Sequence, residues 1–150
     1  ETGVLKDAPY GFKSRFENGP GTNPEELIGA AHAGCFSMAL SLMLGNEGLK
    51  PEKIETHAEV TLDKVGEGFE ITKSHLNVVA KIPGTDQAKF EQIANKAKEG
   101  CAVSKLMKAK ITMNARLEMR TEPASSAVVR ANQRPDATVP LVIAVQRPLS

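Results

Sequence analysis

The sequence predicts an α+β domain in which antiparallel sheet wraps around a long central buried helix. Three observations carry that expectation. Residues 23–45, NPEELIGAAHAGCFSMALSLMLG, are apolar on every side of a helical projection, and a helix that is apolar all round is one that is buried all round. Residues 53–84 alternate apolar and polar side chains on either side of a Gly66/Gly68 turn, the pattern of a β-hairpin. Residues 109–119, AKITMNARLEM, repeat the alternation as a last strand.

The bulk numbers agree with one globular domain. The chain has 150 residues, 41% of them hydrophobic and 25% charged, enough to bury a core without staples. A net charge of +1, no Trp and the single Tyr10 argue against nucleic acid as a partner. His32, Gly34, Ser37 and Ser41 interrupt the longest apolar stretch, which argues against a membrane span. No secretory signal is legible, and the first residue is Glu1, so a fragment or processed product is expected. Two cysteines are too few for a disulfide framework. A cytoplasmic protein with a transient disulfide at most is the expectation.

Taken in order, residues 1–22 are rich in Gly and Pro and read as a strand end followed by a long ordered loop that carries Arg15. Asn23 is a natural N-cap, Pro24 fits the first helical position, Glu26 completes a capping box, and Gly45 is the expected C-cap. On the hairpin, Ile54, Thr56, Ala58, Val60 and Leu62 share a face. On the return strand Phe69 and Ile71 are out of phase with Leu76, Val78, Ala80 and Ile82, so a bulge is expected between Thr72 and His75. Thr85 or Asp86 caps a second helix with Phe90, Ile93, Ala94 and Ala97 inward; Gly100 ends it, Cys101 follows, and Ser104 caps a further short turn. Beyond Met119 the composition changes: every lysine lies before it, whereas four arginines and four prolines lie after it. Residues 1–119 are therefore read as the domain, and 120–150 as a tail of unknown origin, irregular or with one strand.

Cys35 raises the chemical question. A buried thiol is most often packing, but one beside a cation or a helix N-terminus is a reagent. Cys35 lies about three turns into its helix, beyond reach of that helix's dipole, so it needs a cation from elsewhere. Arg15 is the best-placed candidate.

The stretches YGFKSRFENGPGTNPEELIGAAHAGCFSMALSLMLG and KAKEGCAVSKLMKAKITM resemble the OsmC/Ohr family of thiol-dependent hydroperoxide peroxidases, and within it the osmotically inducible OsmC branch. The resemblance runs from Glu1 to about Glu118. It implies that Cys35 attacks the peroxide and becomes a sulfenic acid, that Cys101 resolves it to a disulfide, and that Arg15 and Glu25 assist. Organic hydroperoxides are the implied substrates, with hydrogen peroxide a poorer one. A small dithiol, of lipoyl type by the resemblance, is the implied reductant. Glu25 and Cys35 are roughly 15 Å apart along one helix, so one Arg15–Glu25 pair hardly reaches the cysteine of the same chain. An intertwined homodimer, in which one chain's pair faces the other's thiols, resolves that and is what the resemblance implies. Two departures stand out. Pro often follows the second cysteine in the family, and here Ala102 does. The family's N-terminal strands are expected to be missing.

Other readings are weaker. His32, three residues before Cys35, is expected to be a hydrogen-bonded core histidine rather than a tuner of the thiol. His57 and His75 fall on solvated strand faces, and no Cys or His pair has zinc spacing, so neither metal nor cofactor is expected. Phe12, Phe16, Phe36 and Met38 are candidates to line an apolar pocket. The rivals to peroxidase turnover are a redox-sensing stress protein that forms the same disulfide without turnover, and a binding module whose thiols are only core.

Overall fold

A computed structural model of the chain describes residues 3–17 and 19–118; the expectations for Met119 and for the tail 120–150 lie outside the described residues. Helix α1 (Phe12–Phe16) stands where a loop is expected. Helix α2 (Pro24–Asn46) follows, then strands β1 (Lys53–Val65) and β2 (Gly68–Lys81). Helices α3 (Gln87–Gly100) and α4 (Ala102–Leu106) lead to strand β3 (Lys110–Leu117).

Caps fix the helix ends. Asn23 Oδ1 accepts the Glu26 N–H at 3.0 Å with Pro24 at the first helical position, and Asp86 Oδ1 accepts the Lys89 N–H at 2.8 Å. Gly45 is not the C-cap of α2. The helix runs one residue further, and Gly48, at φ 71°, takes the left-handed position instead. Leu49 N–H reaches Leu44 O at 2.9 Å and Gly48 N–H reaches Gly45 O at 3.0 Å, the paired bonds of a Schellman end.

The sheet departs from the antiparallel expectation. Among the described residues it has three strands in the order β1–β2–β3. β1 and β2 pair antiparallel through the hairpin, but β2 and β3 pair parallel. Connection length decides this: α3 and α4 carry the chain back across the sheet, and such a crossover returns the next strand parallel. The bulge falls where the phase slip put it. Thr61 pairs with Lys73 and Leu62 with Ile71, leaving Thr72 as the extra residue.

One face of the sheet makes the core. Ile54, Ala58, Leu76, Val78 and Ala80 point at α2, whose Ala33, Phe36, Leu40 and Leu44 meet them. Ser37 Oγ lies 2.7 Å from Thr56 Oγ1, so two buried hydroxyls satisfy each other across that layer. Among the described residues α2 is covered on one side only. Its buried positions, from Glu25 through Gly29, His32, Ala33, Phe36, Ser37 and Leu40 to Leu44, form a single stripe at spacings of three and four, while Met38 is 75% and Leu42 67% exposed. The helix has the length and mean hydropathy, 1.7, of a membrane-crossing segment, yet its inner stripe is the core of this domain.

Candidate active site

Arg15 and Glu25 meet in a clasp at the start of α2. Thr22 N–H bonds Pro9 O at 2.9 Å, and Ser14 Oγ lies 2.7 Å from Gly11 O and 2.6 Å from Thr22 O. Asn23 Nδ2 donates to Ser14 O at 3.3 Å. Gly21, at φ 109°, permits the closure, because a Cβ there would stand 2.6 Å from Pro9 O. The clasp folds α1 back so that Arg15 Nη2 reaches Glu25 Oε1 at 2.7 Å and Nε lies 3.1 and 3.3 Å from the two carboxylate oxygens. Glu25 is 3% exposed and Arg15 about a third exposed. This fork holds the guanidinium plane in a set orientation, and the carboxylate also gains from the first turn of α2.

The two thiols meet further along. Cys35 lies mid-way in α2, and Cys101 is at once the C-cap of α3 and the N-cap of α4. The two cysteines are free, and each side chain acts on the other's titration. Burial raises the Cys35 pKa, but the Val103 N–H, the Cys101 side chain and the Ala102 N–H outweigh it, and the thiol ends below its ordinary value of 9.0. For Cys101 burial is the largest influence. Cys35 adds to it, the Ser104 amide and hydroxyl and the Val103 amide oppose it, and the net shift is upward. One sulfur is thus set toward thiolate and its neighbour toward thiol.

The sequence points to Arg15 as the cation for Cys35; within one chain the groups that lower Cys35 include amides of the first turn of α4, brought in from the other end of the domain. Their signal was the two residues after Cys101, which carry no side-chain chemistry. Ser104 does not cap a new turn; Cys101 does. Cys101 is the single residue between α3 and α4 and is held fast. It is 1% exposed, its N–H bonds Ala97 O at 2.9 Å, and its carbonyl accepts the Lys105 N–H at 3.0 Å.

Against α4 lie a cavity and a buried histidine. The cavity, about 270 Å³, is lined by Ile28, Ala31, Ile71, Val103, Leu106 and Met107, with Lys108 and Ala109. Val103 links it to Cys35, whose sulfur faces the Val103 N–H. The expected pocket residues lie elsewhere. Phe36 is core; Phe12, Phe16 and Met38 are exposed, with Phe16 stacked between Phe12 and Phe69. His32 is a buried, hydrogen-bonded core histidine as expected, with Nδ1 2.8 Å from Ser74 Oγ and Nε2 2.8 Å from Ser104 Oγ. His75, on the outer face of the sheet, is bonded to Thr112 and Asn77. Among the described residues no three His, Cys, Asp or Glu side chains cluster closely enough to hold a metal ion.

A family model described as OsmC-like protein matches residues 17–116. The chain belongs to the OsmC family. It is 58% identical over 118 residues to the Escherichia coli peroxiredoxin OsmC, covering 79% of this chain and 82% of that one. It is 31% identical over 87 residues to the organic hydroperoxide resistance protein of Xanthomonas axonopodis, covering 57% of this chain and 59% of that one. Among solved structures, an organic hydroperoxide resistance protein OsmC from Legionella pneumophila superposes with a TM-score of 0.57 at 26% identity, over 75% of this chain and 79% of that one. The OsmC fold is therefore an α+β arrangement of helices on a mixed sheet here as in that neighbour.

Proposed function

We propose that this OsmC protein reduces organic hydroperoxides, and hydrogen peroxide less well, by a two-cysteine cycle. The enzyme is of the peroxiredoxin kind, as the names of its relatives indicate. The observation that carries the cycle is that α2 and the α3–α4 junction bring two free thiols together so that each acts on the other, with Cys35 lowered and Cys101 raised.

The Cys35 thiolate attacks one peroxide oxygen, an S–O bond forms, and the O–O bond breaks. The alkoxide leaves, takes a proton and departs as the alcohol; Cys35 remains as sulfenic acid. Cys101 then attacks the Cys35 sulfur. The S–S bond forms, the S–O bond breaks, and the hydroxide leaves with the Cys101 proton as water. An external dithiol, of lipoyl type in our reading, returns both thiols by exchange. The apolar cavity beside Val103 accepts the organic half of the substrate.

Arg15 and Glu25 act across a homodimer interface. The pair sits at the first turn of α2 and Cys35 ten positions on, roughly 15 Å along the axis. The exposed apolar side of α2, with Met38 and Leu42, is the surface a second copy would cover. In that dimer one protomer's guanidinium faces its partner's Cys35 and meets the charge that develops on the leaving oxygen. Residues 1–119 are the peroxidase domain in this reading, and the compartment is the cytoplasm, where the disulfide lasts only between turnovers.

Two experiments test this. In the first, tert-butyl hydroperoxide is mixed with dihydrolipoamide and catalytic amounts of protein. Consumption of many dithiols per chain is expected, and a single stoichiometric oxidation would turn the protein into a sensor. In the second, Arg15→Ala chains are mixed with Cys35→Ser chains after partial unfolding. Recovered turnover is expected, since a mixed dimer rebuilds one complete site; no recovery would assign Arg15 to its own chain's cysteine.

A further inference from the structure

His32 has both ring nitrogens engaged and is fully buried, yet the cycle above gives it no task. Its two partners differ. Ser74 belongs to β2 and is itself fully buried. Ser104 belongs to the first turn of α4, three residues after Cys101, and its amide and hydroxyl both favour the Cys101 thiolate. A hydrogen-bonded row thus runs from Ser74 through His32 to Ser104, which in turn acts on Cys101, the neighbour of Cys35.

Proton counting sets the direction of that row. A serine hydroxyl has one proton to give. If Ser104 gives it to the Cys101 sulfur as the thiolate develops, the Ser104 oxygen must accept from His32 Nε2–H. Nδ1 must then accept the hydroxyl proton of Ser74. A neutral imidazole, with one N–H and one bare nitrogen, satisfies both contacts. Burial lowers the pKa of His32 and keeps it in that neutral form.

We propose that His32 is a positioning residue for the resolving step: through Ser104 it aims a hydroxyl proton at the Cys101 sulfur and supports the Cys101 thiolate as it attacks the sulfenic acid on Cys35. The inference rests on the two-cysteine reading above. It has a chemical motive, since Cys101 is the thiol that burial and its neighbour disfavour as an anion. A donor held on that sulfur is worth most there, where solvent is absent. Among the described residues, the titratable groups that act on Cys101 are Cys35 from α2 and, across Ser104, His32.

The experiment is a rapid-mixing series on the reduced full chain with one equivalent of tert-butyl hydroperoxide. Sulfenic acid is trapped with dimedone and the disulfide counted by mass spectrometry, from pH 5 to 9. Ser104→Ala and His32→Asn are the test variants. The asparagine amide reaches the Ser74 side but not the Ser104 side of the ring's place, whereas glutamine reaches the latter. Disulfide formation about tenfold slower in both variants is expected, with its pH midpoint moved upward and sulfenic acid accumulating, as the loss of one hydrogen bond to a developing anion implies. His32→Gln is expected to recover most of the rate. A merely structural histidine would lower the melting temperature and leave that midpoint in place. Wild-type disulfide formation with both variants matching it would overturn this inference alone; should His32→Asn not fold, Ser104→Ala at the wild-type rate and midpoint does so by itself. A wild-type chain that forms no disulfide would overturn the two-cysteine reading and this inference with it.

Discussion

The two ends of the site are built in opposite ways. At the first turn of α2, Arg15 and Glu25 lie ten positions apart and are joined by a polar clasp of Ser14, Gly21, Thr22 and Asn23. Midway along α2, Cys35 meets a sulfur and two amides that come from the far end of the domain, delivered by the α3–α4 junction. The first end is an ion pair in which Arg15 stays about a third exposed; at the second, Cys101 is buried and Cys35 partly buried. The difference teaches where each kind of electrostatics is used. A bidentate fork orients a guanidinium that stays partly in water, while a thiolate packed against the core gains from dipoles already in place.

Substitutions at the two ends should therefore separate. The largest effect is expected from Cys35→Ser, which removes turnover altogether and leaves the Arg15–Glu25 end folded; peroxide consumption and a melting curve on the same sample check both halves. Arg15→Ala comes next. Losing one charged donor to the leaving oxygen slows the peroxide step about a hundredfold, read by stopped flow. The same change leaves the buried Glu25 carboxylate without its fork, and with Arg15 partly solvated a loss of about 1–2 kcal/mol in denaturant unfolding is expected. A wild-type peroxide rate in that variant would remove Arg15 from the chemistry.

Acid should weaken the thiol end through His32. Its folded pKa lies below the ordinary 6.5, so between the two values the unfolded chain binds the extra proton and the folded chain does not. Stability is thus complete above about pH 6.5 and falls as pH drops below it, by up to about 1.4 kcal/mol per pH unit. Urea unfolding of wild type against His32→Gln at pH 7 and pH 5 measures this, with the slope absent in the variant.

The smallest expected effect sharpens the role of the amides. Ala102 is the first residue of α4, where proline is welcome, and Cys101 before it sits at φ −62°, ψ 125°, as a residue preceding proline prefers. Ala102→Pro should fold normally. It also deletes one N–H that faces Cys35, so alkylation of Cys35 by iodoacetamide at pH 7 should slow about threefold. An unchanged alkylation rate would leave the Val103 N–H and Cys101 as the donors that matter.

Much of this was legible in the chain and some was not, for reasons visible in particular residues. The Asn23 cap, the bulge at Thr72, the stripe Phe90–Ile93–Ala94–Ala97 and the burial of His32 all follow from neighbours within a few positions, where propensity and periodicity act. The end of α2 was misplaced from Gly48 to Gly45 because two glycines compete there and only tertiary packing of Leu49 against the core chooses. The exposed side of α2 was unreadable because an apolar pattern states what wants covering, not which chain covers it.

By itself the sequence determined helices α2 and α3, the hairpin and the presence of two thiols, one arginine and one glutamate in contexts that mark a family. Such features depend on local geometry, which repeats wherever the same residues recur. The tertiary structure alone decided that β3 lies parallel beside β2, that the α4 amides lie against Cys35, and that His32 bridges Ser74 to Ser104. Those contacts join segments far apart in the chain, and burial of a common core, rather than any local preference, brings them together.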